Sequence, residues 1–468
     1  MRLYAKIQMA NMALLSSMVL AILFLPAWLY AKDTPKADTD ADFQRHSDMA
    51  LVQKVEECGP DCAKAISMGE TLFLERCIDL AIKNQPSIIA AAYTVMANQS
   101  KIGQAGAGNY PQMDLSSSYS RYQPTTGGMS VPPTGLNQYT SSATIKQNIY
   151  DFGRVKTQVK IQELNAESSL YDLSNTTAQI VYNVKQAYYT LLQAGRNREV
   201  ALETVMQFQQ HLQQAIGFYS VGERAKFDVT KAEVDLSNAK LSMIKADNAL
   251  RLARVNLNNA MGVPDAPEYL VQDNLMFKRY DVSLDKIIET AFNNRADLQS
   301  IKTKQAAARQ TIELRKKDYY PTVQGSAGYS WGGESFAING GWNIGAQVSI
   351  SIFSGYLTKK QIEEAQLNLN VLKANEETIK QGIIVEVQQG YLNLKEAEER
   401  ITATAVTVRQ AKENLDLANG RYAAGVGNPI EVTDADVTYS NANTAHIQAL
   451  TDYKIAQASI EKAMGERR

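Results

Sequence analysis

Beyond position 31 the sequence has no run of about 20 apolar residues, so no helix of the mature chain is expected to span a bilayer. Charge of one sign is also lacking: 48 basic side chains face 49 acidic ones, and a nucleic-acid binder would carry a basic excess. Only three histidines occur, His46, His211 and His446, and they form no cluster. No P-loop, dinucleotide glycine pattern, nucleophile elbow or zinc spacing is present, and the scattered Ser, Asp and His make no triad. No catalytic activity, cofactor or metal is therefore expected. Methionines are dispersed, which gives no sign of a metal-specific route. The hydrophobic fraction is 45%, but much of it is alanine, and the mean hydropathy is −0.28.

What is there begins with an export signal. Arg2 and Lys6 form a positive start, Met12 to Leu25 an apolar core, and Pro26 leads to a cleavage point at Ala31, which assigns 1–31 as a signal peptide. Residues 32–70 read as a flexible, cysteine-bearing extension. In an exported protein Cys58-Gly-Pro-Asp-Cys62 has the turn residues to close a small disulfide, leaving Cys77 odd; either cysteine can instead pair with Cys77.

The second half repeats the first. Val184-Lys-Gln-Ala-Tyr188 returns as Val387-Gln-Gln-Gly-Tyr391, Tyr219-Ser-Val-Gly222 as Tyr422-Ala-Ala-Gly425, and Met261-Gly262 as Met464-Gly465, each at an offset of 203. Asn84, Tyr110-Pro111 and Gly153 find counterparts in Asn294, Tyr320-Pro321 and Gly355. The expected units are a first repeat over 71–265, an equatorial linker over 266–285 and a second repeat over 286–468. Such symmetry suits a pore or scaffold better than an enzyme with one privileged site.

The long segments are helical. Leu170, Leu173, Thr177, Ile180, Val184, Ala187 and Leu191 are spaced alternately by three and four, a coiled-coil rhythm. The series from Leu236 to Ala260 and from Tyr439 to Ala463 keep it and alternate large with small residues, so neighbouring helices can approach closely. A packing role at that seam is expected of His446. Long helices are predicted over about 154–220 and 356–423, each about 100 Å at 1.5 Å per residue. Each is followed by a glycine break and a return helix, the second opening on Asn428-Pro429-Ile430-Glu431.

Each half also holds two predicted strands, about 112–122 and 138–150, then about 322–331 and 341–353. From Trp342 to Ile352 apolar and polar residues alternate, which gives one greasy and one wet face, as in a strand crossing a membrane in a barrel. Aromatics mark the strand ends: Trp331, Trp342, Tyr110, Phe152, Tyr320 and Phe353. Four strands cannot close a barrel, and open edges cannot sit in lipid. The chain must therefore associate; three copies would give twelve strands and a ring of twelve helices.

The duplicated helix-strand-strand-helix order, the Tyr-Pro strand entries, the exits Tyr150-Asp-Phe-Gly153 and Phe353-Ser-Gly355, and the tip Tyr422-Ala-Ala-Gly-Val-Gly-Asn-Pro-Ile-Glu-Val-Thr-Asp434 resemble the TolC-like outer-membrane efflux and type I secretion channels, over about 71–465. The resemblance implies a mostly α fold with a transmembrane β-barrel portion: a homotrimeric 12-stranded barrel in the outer membrane of a Gram-negative bacterium, continued by a 12-helix periplasmic α-barrel. It implies a periplasmic adaptor and an inner-membrane transporter as partners. Residues 32–70 and the short C-terminus depart from the common pattern.

By the same resemblance, Val221, Gly222, Glu223, Gly425, Val426 and Gly427 are adaptor-docking turns, although glycine there also serves simple helix termination. Glu431 and Asp434, three apart, line the periplasmic entrance; they equally suit a capping box and a dipole-offsetting first turn. Asp228 is the matching acid of the first half, with Lys231 where a second acid would stand. Arg224 is either a latch between helices or a solvated arginine. The function expected is a passive exit duct, with type I protein secretion favoured over drug or solvent efflux; a soluble coiled-coil structural protein with its strands in a sandwich is the alternative of another class.

Overall fold

A computed structural model describes residues 66–123, 135–334 and 339–466. The leader, most of the extension, and Cys58 and Cys62 lie outside the described residues. Among the described residues Cys77 is buried and has no disulfide partner.

In chain order the elements are β1 (Thr71–Leu72), α1 (Leu74–Asn84), α2 (Pro86–Gly106), β2 (Gln112–Tyr122), β3 (Leu136–Tyr150), α3 (Arg154–Ser220) and α4 (Lys226–Ala260). Then follow β4 (Leu270–Val271), α5 (Leu284–Asn294), α6 (Ala296–Lys316), β5 (Thr322–Gly333), β6 (Asn339–Ser349), α7 (Leu357–Ala423) and α8 (Pro429–Ala463). Corresponding helices have equal lengths: 11 residues for α1 and α5, 21 for α2 and α6, 67 for α3 and α7, 35 for α4 and α8.

The helices pair as α3 with α4 and α7 with α8; α3 also packs on α6 and α8, and α6 lies between α3 and α7. Helix α2 packs chiefly on α3. The main core forms a belt around the middle of the long helices and includes Leu72, Leu80, Tyr188, Leu257, Ile287 and Ile460. There the linker is strapped down. Tyr188 donates to the Gln272 carbonyl at 2.6 Å, Arg196 grips Asp273 with two bonds of 2.7 and 2.9 Å, and the Tyr453 hydroxyl donates to the Lys278 carbonyl at 3.0 Å. Parallel pairing of β1 with β4 joins the linker to the first repeat.

Two glycines explain why the repeated Met-Gly ends matter. Gly262 and Gly465 have φ of +73° and +80°, and each sits against the backbone end of its short helix, at Asn84 and Asn294. A Cβ on Gly262 would come within 2.7 Å of the Asn84 carbonyl carbon, so the close approach demands glycine.

The strands form one antiparallel sheet in the order β2-β3-β5-β6, with β1 and β4 pairing separately. The sequence expectation of a strand to 353 is corrected: β6 ends at Ser349, which pairs with Thr322, the first residue of β5. Pro321 precedes it and has no N–H, so Ile350 to Ile352 have no ladder to join, although their alternation continues. In the return helix α8 the seam residues Ala442, Ala449, Tyr453, Ala456, Ile460 and Ala463 are buried. In α4, Leu236, Ala239, Ala253 and Leu257 are buried, while Met243, Ala246 and Leu250 are half-buried.

Candidate functional site

Two regions are candidates for the functional site: the sheet at one end of the helices and the turns at the other. Register turns the sheet's sequence alternation into two continuous surfaces. Met113 pairs with Ile145, Ile145 with Ala327, and Ala327 with Ile344, one apolar row across all four strands. Nearer the loops, Tyr119 pairs with Tyr139, and Tyr329 with Trp342. The opposite face holds Ser116 against Ser142, whose hydroxyls are 2.8 Å apart. Met113, Leu115, Trp342, Ile344 and Val348 are all more than 60% exposed. A surface of that size and apolarity needs lipid or another copy against it.

Aromatics sit at both ends of these strands. At the helix end Phe152 stacks on Tyr320 with centroids 5.3 Å apart, and Tyr150 meets Phe152 edge-on at 4.7 Å. Tyr110 and Phe353 are exposed beside them, and Phe353 meets Tyr356 edge-on. At the loop end Tyr119 and Tyr139 lie 5.1 Å apart and Tyr329 and Trp331 5.9 Å. The two rings therefore bracket the apolar band. Phe152 and Tyr356 hold left-handed backbone, φ 54° and 65°, beside Gly153 and Gly355 at φ 76° and 62°. This tight corner turns each strand into its long helix; Asp151 caps the first, accepting from the Gly153 and Val155 amides at 2.9 and 2.8 Å. Among the described residues no helix is long and apolar enough to cross a membrane.

At the far end, Gly222 and Gly425 reverse the chain with φ of +80° and +75°. Val221 and Val426 project into solvent at 70% and 71% exposure; Glu223 is exposed beside them. The two turns are joined. Arg224 Nη2 donates to the carbonyls of Gly425 at 3.2 Å and Gly427 at 2.8 Å, and its guanidinium lies 5.7 Å from the Tyr422 ring centre. Arg224 is thus a bridge between the turns, not a free surface arginine. A Cβ on Gly427 would come within 2.7 Å of the Tyr422 nitrogen, which explains a second glycine there. Arg224, Phe227, Asp228, Gly425, Ile430 and Glu431 line one open groove between the turns. Asp434 is not among its lining residues; it points outward from the next turn of α8.

The capping-box expectation for Glu431 needs correction. Asn428 does cap α8, accepting from the Ile430 amide at 3.0 Å, but the Glu431 carboxylate turns to Arg421 Nε at 3.4 Å. That pair links the end of α7 to the start of α8.

Sequence reasoning missed the seam behind the turns. His211 of α3 is buried and its ring lies 4.7 Å from that of Tyr422. Burial pushes its pKa down. Buried Asp235 of α4 receives Lys231 at 2.7 Å and the Thr433 hydroxyl of α8 at 2.9 Å. Asp436 of α8 is 2% exposed; burial, and then the charge of Glu203, push its pKa up to about 7. Only the Lys231–Asp235 spacing of four was visible in sequence; the other contacts join helices far apart along the chain. His446 packs as expected, with Nδ1 3.0 Å from the Thr404 hydroxyl.

Comparison with known proteins places these features. The family model described as "Outer membrane efflux protein" matches residues 77–263 and 287–466. The outer membrane protein TolC of Escherichia coli is 23% identical over 389 residues, covering 78% of this chain and 76% of that one. Protein CyaE of Bordetella pertussis is 22% identical over 412 residues, 86% of each chain. A protein of Pseudomonas putida named "Probable efflux pump outer membrane protein TtgC" is 22% identical over 407 residues, 84% of this chain and 82% of that one. Among solved structures, CusC superposes with a TM-score of 0.72 at 17% identity, over 84% of this chain and 92% of that one. The outer-membrane channel OprN superposes with 0.71 at 16% identity, over 94% and 98%.

Proposed function

Since this chain belongs to the outer membrane efflux protein family, we propose that it is the passive exit duct of a tripartite exporter, closed by three copies and carrying polypeptide cargo in type I secretion. Proteins of this family are outer membrane channels with a large periplasmic portion, not enzymes, and they serve tripartite systems. The soluble coiled-coil rod is thereby set aside: the strands form one sheet with a lipid-suited face, not a sandwich.

The observation that carries the reading is the pair of open edges, β2 and β6, on a sheet with an apolar row running across all four strands. Open edges are not tolerated in hydrocarbon. Three copies joined β6 to β2 seal a twelve-stranded cylinder. The helices agree. Helix α6 has α3 on one side and α7 on the other, while α2 has chiefly α3; α7 of a neighbouring copy fits the vacant side of α2. An energised inner-membrane transporter and a periplasmic adaptor supply the drive, the adaptor gripping Val221-Gly222-Glu223 and Gly425-Val426-Gly427. Glu431, Asp434 and Asp228 form an acidic entrance ring, and untwisting of the helix pairs at Glu223 and Val426 opens it. Arg224 and the Arg421–Glu431 pair hold it shut.

Replacing Glu431 and Asp434 together by Ala should raise conductance or weaken cation block in planar bilayers; unchanged currents reject their gate role. Small-molecule efflux is the second reading, favoured by the likeness to a protein named as an efflux pump component. Deleting the gene's product decides: loss of one secreted protein with unchanged solvent and drug tolerance supports secretion, and the reverse supports efflux.

A further inference from the structure

The barrel lining bears on which cargo can leave, and this inference rests on the reading of the sheet as a channel wall. Register assigns to one polar face the even-numbered residues of β2, of β3 as far as Asn148 and of β5, together with the odd-numbered residues of β6. Apart from Tyr122 and Leu136, paired at the far rim, that face consists of Ser, Thr, Asn, Gln and Gly with a single acid and a single base, Asp114 and Lys146. Asp114 lies opposite Thr144 and Lys146 opposite Gln112, which makes them diagonal neighbours on adjacent strands. Their opposite charges leave that face with no net charge. The other ionisable side chains of the strands and rim, Tyr aside, are Arg121 and Glu334, again one of each sign. Residues 123–135, which connect β2 to β3, include no charged side chain at all.

The contrast with the helical end is sharp. There exposed Glu431 and Asp434 and half-exposed Asp228 stand with Arg421 and Arg224, so that charged groups of both signs crowd the turns. Fixed charge of one sign in a narrow lumen concentrates counter-ions and repels co-ions. A lumen whose fixed charges sum to zero has no such far field, because pairs of opposite sign are screened within about 8 Å in physiological salt. Hydroxyls and amides remain, and they exchange hydrogen bonds with water or with a passing peptide backbone. Some are satisfied internally, as Ser116 and Ser142 show. Such a wall offers polar lubrication without an anchor.

We propose that the β-barrel of this duct is an electrically neutral hydroxyl-and-amide sleeve that does not select by charge and passes extended polypeptide of either sign.

The test uses the full-length protein in planar bilayers, with lysine decamer or glutamate decamer added from the side of the barrel mouth under a voltage that drives each inward. Neither peptide should reduce current at a concentration more than about twofold below the other. Ser142→Asp should raise sensitivity to the lysine peptide about tenfold, and Ser142→Lys should do the same for the glutamate peptide. A native channel blocked at tenfold lower concentration by one sign overturns the neutral sleeve. Failure of both Ser142 variants to sensitise the channel overturns the assignment of that face to the lumen. Absence of any conductance in native and variant proteins overturns the duct reading itself, a result distinct from a conducting but charge-selective barrel.

Discussion

In the equatorial belt Leu72, Tyr188, Leu257 and Ile287 are 0% exposed, whereas in the sheet Met113, Leu115, Trp342 and Ile344 are between 66% and 76% exposed. Both groups are large and apolar. The belt finds its partners within one chain: short helices, linker and long helices close around Tyr188, and the strap hydrogen bonds hold them. The sheet has no second layer among the described residues and two unpaired edges. Apolar burial is worth about 25 cal/mol per Å², so the belt stabilises the single chain, while the exposed apolar row of the sheet gains no such burial within one chain. Self-sufficiency ends at the aromatic corners, where Phe152 and Tyr320 stack.

That contrast can be broken most severely in the sheet. Leu115→Arg or Ile344→Arg sets a charge on the lipid face of every copy, at about 2–4 kcal/mol each near the bilayer midplane. Heat-resistant oligomer should vanish from outer membrane fractions while Leu115→Ile retains it; an Arg variant that assembles normally means this face does not meet lipid. In the belt, Tyr188→Ala should cost about 3–5 kcal/mol by opening a cavity. Tyr188→Phe should cost about 1 kcal/mol, the bond to the Gln272 carbonyl alone. Denaturant unfolding of detergent-solubilised protein reads both, and equal midpoints for Ala and native protein refute a packed belt.

Smaller effects sharpen the comparison at the turns. Gly427→Ala should cost about 1–3 kcal/mol by overpacking against Tyr422, and speed proteolysis at the tip. Gly420→Ala, with open space around it, should do neither. Asp436 gives a pH signature. Its pKa rises from 3.8 to about 7 on folding, so the folded state binds the extra proton between those values. Stability contributed by this group is full below pH 3.8, falls as pH rises towards 7, and is level above. Asp436→Asn should flatten that slope in thermal unfolding between pH 4 and 7; an unchanged slope assigns the dependence to other groups.

The sequence carried whatever local period encodes. Alternation around Trp342 marked a strand, and spacings of three and four around Leu173 and Leu236 marked helices, because side-chain direction follows directly from backbone geometry. It did not mark where β6 stops, since that depends on the partner strand beginning after Pro321. At the tip, glycine turns and the Asn428 cap were readable from neighbouring residues. The Arg421–Glu431 pair and the His211–Tyr422 contact were not, because each joins helices through space; for Arg224 the latch and the solvated side chain were both open, and its bonds to the Gly425 and Gly427 carbonyls decide between them. Likewise nothing in the spacing distinguishes buried Asp436 from exposed Asp434.

The central claim is that edges β2 and β6 are completed by other copies of this chain. Native mass measurement of the processed protein extracted from outer membranes in mild detergent tests it most directly. The account predicts a particle of three polypeptides that survives dilution and dissociates when the sheet's apolar face is charged. A stable single polypeptide that conducts ions would contradict it.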